Sequence, residues 1–309
     1  MNEKFKGLYA ATIVPLKKNR QINIIELKNH LKDIVNKKNI KGLLINGHAG
    51  ENFSLTDKEQ IVIVKIAKKI IKKNQLIVSG VNFEDPYKAR VVAKEMEKNG
   101  ADAILIFPPF SWSFSRSQDQ IFDHHKIIHD FISIPIFTYQ SSIHSNGLNY
   151  EKILNKRFLT LKKIIGVKEG SWNVRAYQEN YNLFKNNKKN FLVMASGDEH
   201  LYPCFKYRKG SDGSLVSLAI ILPEDVANMI NLIKEKKMRE AKYLSQKINL
   251  FAKAIYGNNP ASFATARLKY CLKKMKKIST DFMRSTIELD SNDKKNLDKI
   301  LSKFKLINY

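Results

Sequence analysis

Ile164-Ile165-Gly166-Val167-Lys168-Glu169 is a short apolar run that ends in an amine and a carboxylate. Its uncharged, branched residues read as a strand covered on both faces, as strands of a parallel sheet are. A cation inside such a strand is costly to bury unless it is paired or serves chemistry. Most of the 54 basic residues of the chain are solvated surface charges. Lys168 is set apart from them by its place at the end of an apolar strand.

The pattern recurs on either side. Apolar runs fall at 7–16, 42–47, 75–81, 101–108, 134–140, 164–170, 191–197 and 213–219, with lysine-bearing segments of helical period between them. In 24–38, Ile24, Leu27, Leu31, Ile34 and Val35 follow helical spacing. Thr56, with Glu59 three residues later, forms a capping box before a long apolar stripe. Strands alternating with helices in eight units predict a (β/α)8 TIM barrel, which takes about 250 residues. A doubly wound open sheet is the alternative. It calls for a phosphate-cradling glycine-rich turn after the first strand, and Thr12-Ile13-Val14-Pro15-Leu16 supplies none.

After the eighth run the sequence reads as helices only, over 223–236, 239–255, 260–276 and 293–304, punctuated by Pro223, Gly257 and Pro260. The expected organisation is a catalytic barrel over 1–225 and a C-terminal helical extension over 226–309. Hydrophobic residues make up 43% of the 309-residue chain and charged residues 27%, enough apolar surface to offset the entropy of ordering. Residues 1–7 lack the apolar stretch of a signal peptide, and no run approaches the roughly 18 apolar residues of a membrane span. A cytoplasmic protein without membrane association is the expectation. Cys204 and Cys271 have no metal-ligand spacing around them and read as buried small hydrophobes.

The formal charge of +25 admits a nucleic-acid binder or a lysine-rich solvated surface. The lysines recur on nearly every helical segment, without a single stripe interleaved with aromatics, which points away from nucleic acid. The densest group is Lys269, Lys273, Lys274, Lys276 and Lys277. Leu268, Cys271, Leu272 and Met275 run through it at helical spacing, the pattern of a surface helix with a buried stripe.

In a barrel of this kind reactive groups stand at the C-terminal ends of strands. Three runs end in polar residues: 42–47 leads into His48-Ala49-Gly50-Glu51, 134–139 ends in Tyr139, and 164–168 ends in Lys168. Burial lowers an amine's pKa toward its nucleophilic free form. For Tyr139 the competing reading is a core tyrosine with a satisfied hydroxyl.

These elements, in this order, resemble the dihydrodipicolinate synthase and N-acetylneuraminate lyase family over nearly the whole chain. Ile13-Val14-Pro15-Leu16 stands where the family has a Thr-Pro strand, and Gly47-His48-Ala49-Gly50-Glu51 where it has Gly-Thr-Thr-Gly-Glu or Gly-Ser-Thr-Gly-Glu. Tyr139-Gln140-Ser141-Ser142 matches Tyr-Asn-x-Pro, and Gly166-Val167-Lys168-Glu169 matches Gly-x-Lys-Glu. Gly197-Asp198-Glu199 matches the later acidic turn.

The resemblance implies a class I mechanism. Lys168 attacks the keto carbon of pyruvate or a longer 2-keto acid, and the iminium serves as electron sink with no cofactor or metal. Tyr139 shuttles protons, its pKa lowered by the nearby cation. Gly47, His48 and Ala49 hold the carboxylate through backbone N–H groups, and Glu51 braces the turn. Phe110, Trp112, His144, Gly170 and Ser217 are further pocket candidates, with Trp112 as packing or a pocket wall. Asp198 and Glu199 meet substrate hydroxyls or cap the following helix. A homo-oligomer, dimer or tetramer, is also implied.

The departures bear on substrate choice. His48 and Ala49 replace two hydroxyl residues. His48 is expected to titrate near neutral pH, or else to be a core histidine bonded to a backbone carbonyl. Pro109-Phe110-Ser111 lacks the second tyrosine of Pro-Tyr-Tyr, and His144 stands where the synthases carry an arginine for the aldehyde substrate's carboxylate. The sequence therefore reads as a Schiff-base lyase, aldolase or dehydratase acting on pyruvate-derived 2-keto acids, foremost a 2-keto-3-deoxy sugar acid. The alternatives are a 4-hydroxy-tetrahydrodipicolinate synthase and a catalytically inactive barrel with a binding or regulatory role.

Overall fold

The computed structural model describes residues 2–114, 116–142, 150–257, 261–285 and 287–307. Eight parallel strands close a barrel in sequence order: β1 Gly7–Ala11, β2 Ile40–Ile45, β3 Leu76–Val81, β4 Ala103–Ile106, β5 Ile136–Gln140, β6 Ile164–Glu169, β7 Leu192–Ala195 and β8 Gly213–Val216. β1 pairs with both β2 and β8, which closes the ring and leaves no sheet edge. Seven of the expected runs contain their strands, while β2 begins at Ile40, two residues before the expected run 42–47.

The helices that follow the strands are α1 Ile24–Asn36, α2 Asp57–Lys68, α3 Pro86–Lys98, α4 Gln118–Phe131, α5 Lys152–Phe158, α6 Val174–Asn187, α7 Leu201–Lys206 and α8 Pro223–Lys234. Capping explains several starts. Thr56 and Glu59 form both bonds of the box at α2, Asn23 caps α1 and Ser117 with Gln120 caps α4. α9 Met238–Ala252, α10 Ala264–Lys274 and α11 Ser291–Lys303 complete the chain, and the expected division at 225/226 falls inside α8. No helix among the described residues is long and apolar enough to cross a membrane.

Two apolar layers hold the barrel. Inside it lie Tyr9, Leu44, Val78, Leu105, Phe107, Phe137, Met194 and Leu215, with Phe5 set edge-on to Phe137 at 5.9 Å between ring centroids. Outside, Leu31, Ile34, Ile63, Val92, Ile128 and Phe184 pack helices onto strands. Both cysteines are buried and free. The alternation of strand side chains places the chemistry: Val167 packs in the outer layer and Glu169 accepts from Asn180 of α6 at 3.0 Å, while Lys168 between them faces the interior.

Candidate functional site

A cavity of about 500 Å³ opens at the C-terminal end of the barrel, lined by residues that include Ala11, Leu44, Gly47, His48, Ala49, Tyr139, Lys168, Trp172, Ser196, Asp198, Leu215 and Ser217. Tyr139 and Lys168 are register partners in the β5–β6 pair, so backbone hydrogen bonding alone brings the phenol beside the amine. Lys168 is 8% exposed, its Nζ 4.8 Å from the Tyr139 ring centroid and 5.3 Å from that of Phe107. It forms no ion pair among the described residues. Burial pulls its pKa down to about 8, and the nearby Asp198 works in the opposite direction.

Tyr139 departs from expectation. Burial dominates and raises its pKa to about 12, opposed by a hydrogen bond with Ser141 and reinforced by the charges of Glu169 and Asp198, while Lys168 Nζ sits over the ring face. The phenol is therefore a proton-holding group. His48 also departs, since burial and then the charge of Lys168 lower its pKa to about 3. The imidazole is neutral throughout the physiological range, its ring 4.4 Å from Phe107 and stacked on Phe110 at 5.8 Å. Its Nε2 has no hydrogen-bond partner among the described residues, so the bond to a backbone carbonyl is not seen at that atom.

The turn after β2 is a single 3-10 turn, His48–Gly50. The amides of Gly50, Glu51 and Asn52 fold back onto the Gly47 and His48 carbonyls, which leaves the amides of His48 and Ala49 as the donors at its start. Asp198 follows β7. It is buried, accepts from the Leu218 amide at 2.8 Å, and has its pKa raised by burial to about 7. Glu199 does not line the cavity.

The remaining sequence candidates divide. Phe110 and Ser217 line the cavity. Trp112 does not: its indole is buried against His124 at 5.1 Å, with His125 and Tyr150 beyond, a packing role set by α4. Gly170 does not line it either, but backs Tyr139. A Cβ there would stand 2.9 Å from Tyr139 Cε2, so a side chain would displace the phenol. His144 lies outside the described residues.

Sequence reasoning missed Tyr256, Trp172 and Phe53. Tyr256 comes from the π-helical turn Lys253–Gly257, and its hydroxyl hydrogen-bonds Ser217 Oγ. Its ring meets Trp172 at 4.9 Å. Trp172 has φ 57°, a left-handed conformation just past β6 that no local residue pattern announces. Among the described residues no group of three or more His, Cys, Asp or Glu is placed to hold a metal.

A sequence profile of the dihydrodipicolinate synthetase family matches residues 4–304. The chain belongs to that family. As a member of the dihydrodipicolinate synthetase family it is a Schiff-base-forming lyase of the class I aldolase kind. It is similar to the 4-hydroxy-tetrahydrodipicolinate synthase of Protochlamydia amoebophila, 27% identical over 252 residues, which span 81% of this chain and 82% of that one. The enzyme of the same name from Thermodesulfovibrio yellowstonii is 26% identical over 310 residues, 98% and 99% of the two chains. Among solved structures, N-acetylneuraminate lyase from Fusobacterium nucleatum shares the family fold with a TM-score of 0.84 at 22% identity, covering 97% of this chain and 99% of its own. The 4-hydroxy-tetrahydrodipicolinate synthase of Methylacidiphilum fumariolicum SolV reaches 0.86 at 25% identity, with 97% and 96% covered.

Proposed function

We propose that Lys168 forms an iminium with a 2-keto acid and that the enzyme cleaves or dehydrates a hydroxylated substrate of the 2-keto-3-deoxy sugar-acid type. The observation that carries the chemistry is a buried, unpaired amine with a lowered pKa at the floor of the cavity. The free amine adds to the keto carbon to give a carbinolamine. Loss of water, assisted by Tyr139 as proton donor, then gives the iminium. In cleavage the β-hydroxyl gives up its proton, the bond between the α and β carbons breaks, and an aldehyde and an enamine remain, the enamine then taking a proton at carbon. In dehydration loss of an α-proton gives the enamine, which expels the β-hydroxyl as water to leave a conjugated iminium. Hydrolysis of the iminium by water releases the keto acid and restores the free amine. The His48 and Ala49 amides with Gly47 receive the carboxylate, and neutral His48 leaves that task to the backbone.

The observation that favours a hydroxylated chain is the polar arc beside Lys168. Ser196, Asp198, Ser217 and Tyr256 supply hydroxyl and carboxyl partners, and Lys168 is the only lysine or arginine among the described lining residues. A synthase must hold a second, anionic substrate, and losing a bidentate guanidinium from a desolvated carboxylate site costs about 2 to 5 kcal/mol. His144, standing in place of that arginine, recovers part of this only when protonated. The names of the similar proteins favour the synthase reading. We read the exposed Phe110 and Phe114 beside the mouth as part of a contact between copies in a dimer or tetramer.

The test compares two specificity constants on one preparation, at pH 7 and near pH 6. One is condensation of pyruvate with aspartate semialdehyde, and the other is breakdown of a 2-keto-3-deoxy sugar acid. The sugar acid is expected to be the better substrate at both values. If aspartate semialdehyde wins at both, the synthase reading replaces this one.

A further inference from the structure

The turn after β2 is gripped from far along the chain. Lys269, on α10, is fully buried, and its Nζ donates to Glu51 Oε2 and, at 2.9 Å, to the Phe282 carbonyl. Glu51 is the residue immediately after the His48–Gly50 turn and holds a left-handed φ of 55°, a conformation a glutamate rarely keeps without support. Its other oxygen, Oε1, accepts from the Arg284 amide at 2.8 Å. One helical turn before Lys269, Thr265 Oγ1 reaches the His48 carbonyl at 3.4 Å. The Arg284 guanidinium in turn clasps Glu59 at the start of α2 through two bonds of 2.8 Å. α10 thus contacts the turn at both ends, across 218 positions of sequence. The charges of Arg284 and Arg20 oppose the Lys269 cation and leave Glu51 as its anionic partner.

We propose that Lys269 is a positioning residue for keto-acid binding. Through Glu51 it holds the amides of His48 and Ala49 in the orientation that receives the substrate carboxylate, an inference that rests on the reading of that turn given above. Glu51 forms a buried ion pair, and a hydrogen-bonded pair of this kind defines direction as well as charge. Displacing the turn by a fraction of an ångström weakens anion capture while the amine of Lys168, on the opposite side of the barrel, keeps its reactivity.

The experiment is borohydride trapping of pyruvate on the full-length enzyme, reading the half-saturating pyruvate concentration separately from the reduction rate at saturation. Lys269→Met is expected to raise half-saturation by about tenfold, with the saturated rate within about twofold of the parent. Glu51→Gln, nearly isosteric and less disruptive, is the second variant and is expected to move the same quantity in the same direction. Trapping of hydroxyacetone, a ketone without a carboxylate, should be unchanged in both. Lower thermal stability with unmoved half-saturation in both variants would overturn the inference, because a merely structural pair changes the folded fraction and not the affinity of what is folded. Ala49→Pro, which removes one amide, tests the turn itself. If it leaves pyruvate half-saturation unchanged, the carboxylate reading fails; if it raises it and the two other variants do not, only the role of Lys269 fails.

Discussion

Lys168 and Lys269 are both lysines buried in the interior, and both have pKa values lowered first of all by that burial. Their surroundings part them. Lys269 has a carboxylate and a carbonyl on its ammonium, and it remains a cation with a structural task. Lys168 has the faces of Tyr139 and Phe107, with Asp198 near enough to be felt but no ion pair among the described residues. Burial alone does not make a lysine a nucleophile. Burial without a committed anion does, because nothing then compensates the cost of keeping the charge.

The contrast breaks first on labelling. After borohydride reduction with pyruvate, the parent enzyme and Lys269→Met should both carry the adduct at Lys168, and Lys168→Ala should carry none. Intact-mass measurement with peptide mapping decides this, and an adduct on any other lysine would erase the distinction between the two.

Next comes stability, where the two residues should act with opposite sign. Lys269→Met leaves the Glu51 carboxylate buried without its cation and should cost about 3 to 5 kcal/mol. Lys168→Met should instead stabilise, by on the order of 3 kcal/mol at pH 7, since a folded-state pKa near 8 lies below the ordinary value of 10.5. The unfolded chain binds the extra proton between those values. The penalty from Lys168 is therefore full below pH 8 and fades as pH rises from 8 toward 10.5, and the gain should vanish along with it. Urea unfolding of both variants at pH 7 and pH 10 checks sign and window together. Destabilisation by both would mean that Lys168 is not an uncompensated charge.

The smallest effect sharpens the comparison. Only the free amine attacks, so the rate of iminium trapping at low pyruvate should rise about tenfold between pH 6 and 7 and level off past the pKa of about 8. Lys269→Met should keep the same bend. A profile still rising steeply at pH 10 would assign Lys168 the pKa of an ordinary surface amine.

How much of the site was legible follows from where its signals lay. Lys168 and Tyr139 each end an apolar strand, and period-2 alternation with parallel pairing leaves little freedom in where such side chains point. Trp112 and Gly170 also stand near strand ends, yet the first turns into the packing of α4 and the second supports Tyr139 from behind. A local pattern does not separate lining from backing. The pKa values of His48 and Tyr139 depart from the sequence expectation for a related reason: a neighbouring lysine can be guessed from sequence, whereas the extent of desolvation, the largest cause at both groups, depends on everything packed around them.

By itself the sequence determined the eight βα units, the strand-end placement of an amine beside a phenol, the capping box at Thr56 and the family to which the chain belongs. Those are properties of short stretches, where propensity, period and turn chemistry act within a few residues. Only the tertiary structure decided that Tyr256 hydrogen-bonds Ser217 at the cavity wall, and that α10, expected as a surface helix with a buried stripe, is instead buried on every side from Ala264 to Leu272, with Lys269 paired to Glu51. Helical spacing put Lys269 beside the buried Leu268, but an isolated cation at that spacing reads as solvated. Its burial depends on one carboxylate brought to it by closure of the barrel and docking of the extension, and long-range pairing of that kind leaves no trace in local sequence.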